Sequence, residues 1–478
     1  MDRVWESYDW GAGYDELFEA PGTPRAHARA LIEALSRMDT ADIEERKRRA
    51  ELAMLNLGIT FTVYSESSGV ERIFPFDLVP RIIDGEEWTR VEQGLKQRVL
   101  ALNHFIQDVY NERKIIDAGV IPADVVYNSP NYEQAVAGFT PPNAAWAHIS
   151  GIDLVRDADG TLYVLEDNAR TPSGVSYVLQ NRILSTRTFP SLFAEAEVQR
   201  VSDYPRVLHD AVRTLNESGP AVVLTPGIYN SAYFEHTYLA KQMGVQLVEG
   251  RDLAVRGGRV LMKTTRGMIP VGSVYRRIDD DFLDPETFRE DSMLGVPGIF
   301  QVYRSGGVAL VNAIGTGVAD DKSVYPYVPA MIRFYLGEEA IIPNVPTYRT
   351  AETKAREYVL AHLRDLVVKP TNASGGYGVV IGPQCDEQEL ATTAAQIREN
   401  PDGFVAQPLI RLSTCPTLID GKFVPRRVDL RPFIVFNGGE PWVLPGGLTR
   451  VALKEGSFIV NSSQGGGSKD TWVVNGTS

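Results

Sequence analysis

One segment restricts the fold more than any other. Residues 151–168 read GIDLVRDADGTLYVLEDN, two apolar-rich stretches around Asp157-Ala158-Asp159-Gly160. That tetrapeptide is turn chemistry: Asp side chains bond nearby amides, and Gly supplies positive φ at no steric cost. The expected element is a β-hairpin, with Asp153 opposite the far end of its partner strand. Glu166 and Asn168 stand two apart, so on a strand they face the same side. Three hard oxygen donors at one point, without His or Cys, suit Mg²⁺ held jointly with phosphates. A polar hairpin with a solvated edge is the competing reading.

Around this hairpin the pattern alternates. AHARALIEALSRM, ADIEERKRRAELAML and EEWTRVEQGLKQRVLALNHFIQDVYNERK carry apolar residues at threes and fours, which predicts helices over most of the first ~115 positions. FTVYS and ERIFPFD predict short strands between them. A helical stretch follows over 186–216. AVVLTPG, SAYFEHTYLAKQMG and VQLVEG then form a strand–helix–strand unit, and RDLAVRGGRVLMK a hairpin with Gly257-Gly258 at its tip. LVVKP, VVIGP, FVAQPLI, RRVDLRPFIVF and PWVLPGG are further strand candidates, and the tail NSSQGGGSKDTWVVNGTS is rich in Gly and Ser. No repeat of 20–50 residues is present. The class expected is α+β with α/β elements.

Charge and composition exclude several functions. Lys+Arg 48 against Asp+Glu 61 gives −13, which is not the footprint of a nucleic-acid binder. The start has no apolar signal-peptide core and no stretch approaches 18 uninterrupted apolar residues, so the expectation is a cytoplasmic protein that contacts neither membrane nor nucleic acid. Cys385 and Cys415, the two cysteines, cannot build a four-ligand zinc site and are expected reduced, although one disulfide is open to them. GxxxxGK[ST], GxSxG, HExxH and GxGxxG are all absent. The six histidines are scattered; His148, nearest the acidic hairpin, is the one worth testing.

Two cationic groups remain. Lys369 ends an apolar strand and precedes Asn372, Ser374, Gly375, Gly376 and Gly378, a turn able to surround phosphate oxygens with amides or to serve as an ordinary hairpin loop. Arg427, Asp429 and Arg431 alternate along one strand, with Arg450 beyond Pro445-Gly446-Gly447. They could grip an anion or form surface salt bridges.

The ordered set resembles the circularly permuted ATP-grasp family, related to the glutathione synthetase and glutathionylspermidine synthetase branches of the carboxylate–amine ligases. VVLTPGIYNSAYFEHTYLAKQMGVQLVEGRDL resembles the βαβ subdomain that precedes the grasp, and VYRRIDDDFLDP its substrate-side loop. VNAIGTGVADDKSVYPYVP resembles the segment with the first nucleotide lysine, on Lys322, with Lys354 in TAETKAREY as the alternative. LVVKPTNASGGYGVVIG supplies the second lysine, Lys369, and a flap. FVAQPLI resembles the adenine hinge, DLRPFIVF the D-x-R strand, GGLTRVA the next arginine, and NSSQGGGSKD the Asn–Gly loop. The magnesium hairpin, last in the unpermuted order, here comes first at 151–168.

The resemblance implies a grasp core completed by a mainly helical segment at 1–143. It places the magnesium hairpin and following helices at 144–205, a βαβ substrate subdomain at 206–350, a small lobe with the flap at 351–411, and return strands with the glycine loop at 412–478. It implies ATP and one or two Mg²⁺ ions, with Asp153, Glu166 and Asn168 as metal ligands. Lys322, Lys369, Ser374, Gly375 and Gly376 would contact phosphates, and Gln407, Pro408, Leu409 and Ile410 would frame adenine. Arg431 and Arg450 would be catalytic; Arg170, Ser173, Arg276, Arg277, Asn461, Gly465 and Gly466 would lie at the substrate. For Arg276 and Arg277 with Asp279, a structural ion-pair cluster is the alternative. Some members carry an arginine two residues before the first acid, where this chain has Gly151. The activity implied joins a small-molecule or peptide carboxylate to an amine through an acyl phosphate. The alternatives are phosphoryl transfer to another acceptor, or a nucleotide-binding scaffold. By resemblance alone, companions would be an alpha-E protein, a transglutaminase-like protein and a proteasome-like β-subunit particle.

Overall fold

A computed structural model describes residues 5, 7–65, 68–372, 378–458, 460 and 466–475. Its centre is a nine-stranded sheet. Seven strands run in the order Trp442–Val443, Phe433–Val435, Ile149–Arg156, Lys422–Arg431, Leu448–Val451, Gly467–Val474, Phe76–Asp84. Thr414–Ile419 pairs with the first half of Lys422–Arg431, and Leu162–Asn168 closes the acidic hairpin on Ile149–Arg156. All pairings are antiparallel except Gly467–Val474 with Phe76–Asp84.

Helices pack on both faces of this sheet. Gly85–Tyr110 lays Trp88, Val91, Leu95 and Val99 against Ile152, Leu154, Leu430 and Val473. It starts at Asp84, whose carboxylate accepts from the Glu86 amide at 2.9 Å, with Glu86 and Glu87 in the first turn where the helix dipole favours negative charge. Thr40–Asn56 and Val175–Thr188 cover the opposite face, with Val428, Phe433, Val451 and Trp472 in that core.

Two smaller sheets complete the frame. Ala309–Val311, Ser273–Arg276, Ala221–Leu224 and Gln246–Val248 are all parallel, and Tyr233–Met243 provides the expected helical crossover. Tyr348–Arg349, Phe404–Pro408, Leu366–Pro370 and Val380–Ile381 form an antiparallel sheet. Its separate core joins Leu366, Val368 and Ala406 to Val359, Leu390 and Ile397 of two helices. The cleft lies between this small sheet and the large one.

Two local expectations change, and the reduced state expected of the cysteines holds. RRVDLRPFIVF is not one strand: Pro432 has no N–H to donate, and the chain divides there into Lys422–Arg431 and Phe433–Val435. The tail is not merely a Gly/Ser segment, because Gly467–Val474 is a wholly buried strand. Its charges hid it. Lys469 is 0% exposed and donates to Asp77 and to the carbonyls of Val79 and Pro416, at 3.1 and 2.8 Å, while Asp470 accepts from Arg182 at 2.9 Å and Trp472 at 2.7 Å. Cys385 and Cys415 are both free thiols.

Candidate active site

The hairpin forms in the expected register, with Asp153 opposite Glu166 and Gly151 opposite Asn168. Across the sheet, Leu430 pairs with Leu154, and both point into the core. Strand alternation therefore turns Asp153, Asp429 and Arg431 to the other face. Arg450 pairs with Asp429 and joins them. A cavity of about 510 Å³ opens on that face.

Asp153 is 1% exposed and receives hydrogen bonds from both arginines. Arg431 Nη2 donates to Oδ2 at 2.8 Å and Arg450 Nη2 to the same oxygen at 2.6 Å, while Arg431 Nε reaches Oδ1. Arg450 also holds Asp429, Nε to Oδ1 at 3.0 Å. Burial pushes both carboxyls up. At Asp153 the attraction of Arg431 and Arg450 overturns that and holds the group well below the carboxylate range; at Asp429 burial prevails over Arg450. Glu166 is more open, 3.8 Å from Arg431 and 3.9 Å from the Lys322 ammonium.

The facing wall comes from the small sheet. Lys369 leaves its strand into the cleft and donates to Gln407 Oε1 at 2.7 Å. Its withdrawal from water lowers its pKa to about 8, with Lys322 acting in the same direction and Glu166 opposing. Lys322 lines the back, its backbone N–H bonded at 3.3 Å to the carbonyl of Thr371, just beyond the second lysine. Asp320 lies beside it, accepts from the Ala169 amide, and is pushed up to about 7 by burial, which Arg170 only partly offsets.

Two carboxylates and one amide offer a cation hard oxygen donors. Among the described residues no three His, Cys, Asp or Glu side chains gather to do so without the amide. Asn168 Nδ2 is enclosed with no hydrogen-bond partner among the described residues. Among the described residues no hydrogen bond holds the Asn168 side chain, so its Oδ1 can turn to a cation, and the donor set fits Mg²⁺.

A model described as circularly permuted ATP-grasp type 2 matches residues 80–452. The chain belongs to this family. An uncharacterized protein of Synechocystis is 53% identical over 99% of both chains, and one of Mycobacterium tuberculosis is 50% identical over 99% of this chain and 87% of its own length. A Frankia casuarinae protein named putative glutamate–cysteine ligase 2-2 is 42% identical over 98% of this chain but only 55% of itself, so nearly half of it has no counterpart here. A glutathione synthetase-like effector from Globodera pallida superimposes with a TM-score of 0.61 at 12% identity, over 92% of this chain and 98% of that one. That likeness shows a shared fold alone.

Asp153, Glu166, Asn168, Arg170, Ser173, Lys322, Lys369, Gln407, Pro408, Leu409, Ile410, Arg431 and Arg450 all line the one cleft. Lys354 does not; it is exposed on Thr353–Ala361. Gly466 is buried at the foot of Gly467–Val474 and does not line the cleft. Ser374, Gly375, Gly376, Asn461 and Gly465 lie outside the described residues. Arg276 and Arg277 do not reach the cleft as substrate contacts. Arg276 is 0% exposed, bonded to the carbonyls of Ile278, Asn312 and Ala313 and paired with Asp280 at 2.6 Å. Arg277 holds the Pro172 carbonyl at 2.8 Å and Glu235 at 3.4 Å. Both are structural ion pairs. His148 is buried and neutral, its pKa lowered by burial to about 4.

The missing family arginine has a physical counterpart. A Cβ on Gly151 would stand 3.1 Å from Pro172 Cβ and 3.7 Å from Arg431 Cδ, so glycine leaves room for the Arg431 stem to cross. Sequence reasoning did not single out Asn312, whose side-chain amide donates to the carbonyls of Ile149 and Ala169, both at 2.7 Å, and so ties the start of the hairpin to its exit. Asp320 was visible as the acid-rich run before Lys322, and Asp429 as the acid between two arginines. Nothing local marked Asn131, which meets Arg170 at 3.4 Å.

Proposed function

We propose that this protein is an ATP-dependent carboxylate–amine ligase that works through an acyl phosphate and releases ADP and phosphate. The observation that carries the reading is the convergence on one cavity of an acidic hairpin, two lysines and two arginines from segments more than 200 positions apart. ATP would lie with its adenine along Pro408–Ile410 and its phosphates between Lys369, Lys322 and the hairpin. Asp153, Glu166 and Asn168 would hold Mg²⁺, which when bound neutralises phosphate charge. Arg170 and Ser173 line the same cleft beyond Asn168 and would face the acid substrate.

In the first step a carboxylate oxygen of the substrate attacks the γ-phosphorus and the bond to ADP breaks. In the second an amine attacks the acyl carbon, phosphate leaves with the former bond electrons, and the nitrogen loses a proton. Phosphoryl transfer asks for placement and charge neutralisation rather than covalent help from the protein. Arg431 and Arg450, each already on a carboxylate, are held where negative charge would develop on the acyl phosphate and the tetrahedral intermediate. The ligase name of the Frankia relative agrees with this class.

The test is a phosphate-release screen of amino acids and short peptides with ATP, products read by mass spectrometry. Phosphate and a new amide that appear only when acid and amine are both present are the expected result. A phosphorylated acceptor with no amide would show transfer of another kind.

A further inference from the structure

The Lys369 ammonium does not depend on its own flexible stem for position. Its Nζ donates to Gln407 Oε1 at 2.7 Å, Gln407 Nε2 donates to Thr347 Oγ1 at 2.9 Å, and Thr347 Oγ1 donates to the Val345 carbonyl at 2.9 Å. Proton supply fixes the direction of this chain. Thr347 has one hydroxyl proton, spent on Val345, so its oxygen accepts from Gln407; the Gln407 amide must then turn its NH₂ to Thr347 and its carbonyl to the lysine. Gln407 is 4% exposed, which favours a single orientation.

The other end of the chain reaches the large sheet. The Val345 amide donates to the Val164 carbonyl at 3.0 Å, and the Val164 amide donates to the Pro343 carbonyl at 2.9 Å. Val164 belongs to Leu162–Asn168, the strand that also carries Glu166 and Asn168. A continuous set of hydrogen bonds thus connects the lysine of one sheet to the acid-bearing strand of the other.

We propose that Gln407, oriented by Thr347, is a positioning residue for Lys369 and sets where the ammonium stands relative to Glu166 and Asn168. The resemblance puts Gln407 at the adenine hinge mostly through its backbone; its side chain is turned to the lysine. This inference rests on reading the cleft as a nucleotide site.

The test is calorimetric titration of ADP without metal into the full chain, for wild type, Thr347→Val, Gln407→Leu, Lys369→Ala and the Gln407→Leu/Lys369→Ala double variant. Gln407→Leu removes a hydrogen bond to a charged group and should weaken ADP about tenfold. Thr347→Val keeps the shape, frees the Gln407 amide to turn its NH₂ toward the ammonium, and should weaken ADP about threefold. In the Lys369→Ala background, Gln407→Leu should cost nothing more, because groups that act through one another are not additive. Thermal melts within a few degrees of wild type exclude loss of folding; should Gln407→Leu not fold, the same cycle with Thr347→Val decides. Equal losses with and without Lys369 would overturn the inference while leaving the nucleotide site standing. No ADP binding by wild type would remove both.

Discussion

Nucleotide affinity should fall steeply across mildly alkaline pH, and Lys369 supplies the magnitude. The wall of the cleft takes its ammonium out of water and brings its pKa from 10.5 down to about 8. The charged form therefore prevails below about 8 and the neutral form above it. If only the ammonium grips phosphate, the competent fraction drops from roughly 0.9 at pH 7 to roughly 0.1 at pH 9, a tenfold loss of ADP affinity or about 1.4 kcal/mol. The terminal phosphate of ADP, with a second pKa of about 6, is about nine-tenths ionised at pH 7 and gains little charge above it, so its own slope is small and of opposite sign. Metal-free calorimetry at pH 7, 8 and 9 reads the effect directly. Lys369→Arg keeps its charge throughout and should flatten the profile. A level wild-type profile, or an equal slope in Lys369→Arg, would refute the argument.

Three other outcomes follow from contacts described above or adjoining them. Glu166→Gln and Asn168→Ala should abolish ADP-forming turnover in the substrate screen while shifting the melting temperature by no more than a few degrees; normal turnover in Glu166→Gln would remove the metal assignment. Glu16, 2% exposed, sits between Arg156 at 3.1 Å and Arg81 at 2.7 Å; burial pushes its carboxyl up, but the two arginines hold it at about 2 against an ordinary 4.5. Its contribution, about 3 kcal/mol, is complete above pH 4.5 and is lost as pH falls toward 2; Glu16→Gln should cost about 3–5 kcal/mol in urea unfolding at pH 7, and an unchanged midpoint would contradict this. Gly447 has φ +145°, and a Cβ there would meet the Arg431 carbonyl oxygen at 2.5 Å. Gly447→Ala should therefore lower stability by on the order of 1–3 kcal/mol in the same assay, and a neutral result would argue against that close approach.

Much of the site was readable residue by residue. The DADG turn and the two-residue spacing of Glu166 and Asn168 announced the hairpin, because period and turn chemistry are local properties. Lys369 was legible as the end of an apolar strand. The choice between Lys322 and Lys354 was not, since each is a lysine in a polar stretch and only the packing of Thr371 against Lys322 places one of them in the cleft. Arg276 and Arg277 were placed at the substrate by the resemblance of VYRRIDDDFLDP to a substrate-side loop, with an ion-pair cluster as the alternative; two of their partners, the carbonyls of Asn312 and Pro172, are distant in sequence and carry no side-chain signal. Gly467–Val474 failed for the opposite reason: a buried strand normally reads as apolar, and here Lys469 and Asp470 are neutralised by Asp77 and Arg182 from elsewhere.

By itself the sequence settled most of the elements though not the strand Gly467–Val474, which oxygen donors share a strand face, and the permuted order of motifs that places this chain among ATP-grasp proteins. Those are matters of spacing along one chain. Tertiary structure alone decided which cation meets which carboxylate, which lysine enters the cleft, and that the Gln407 amide turns to Lys369. Such pairings depend on distances across sheets and on the removal of water, and neither is written in neighbouring residues.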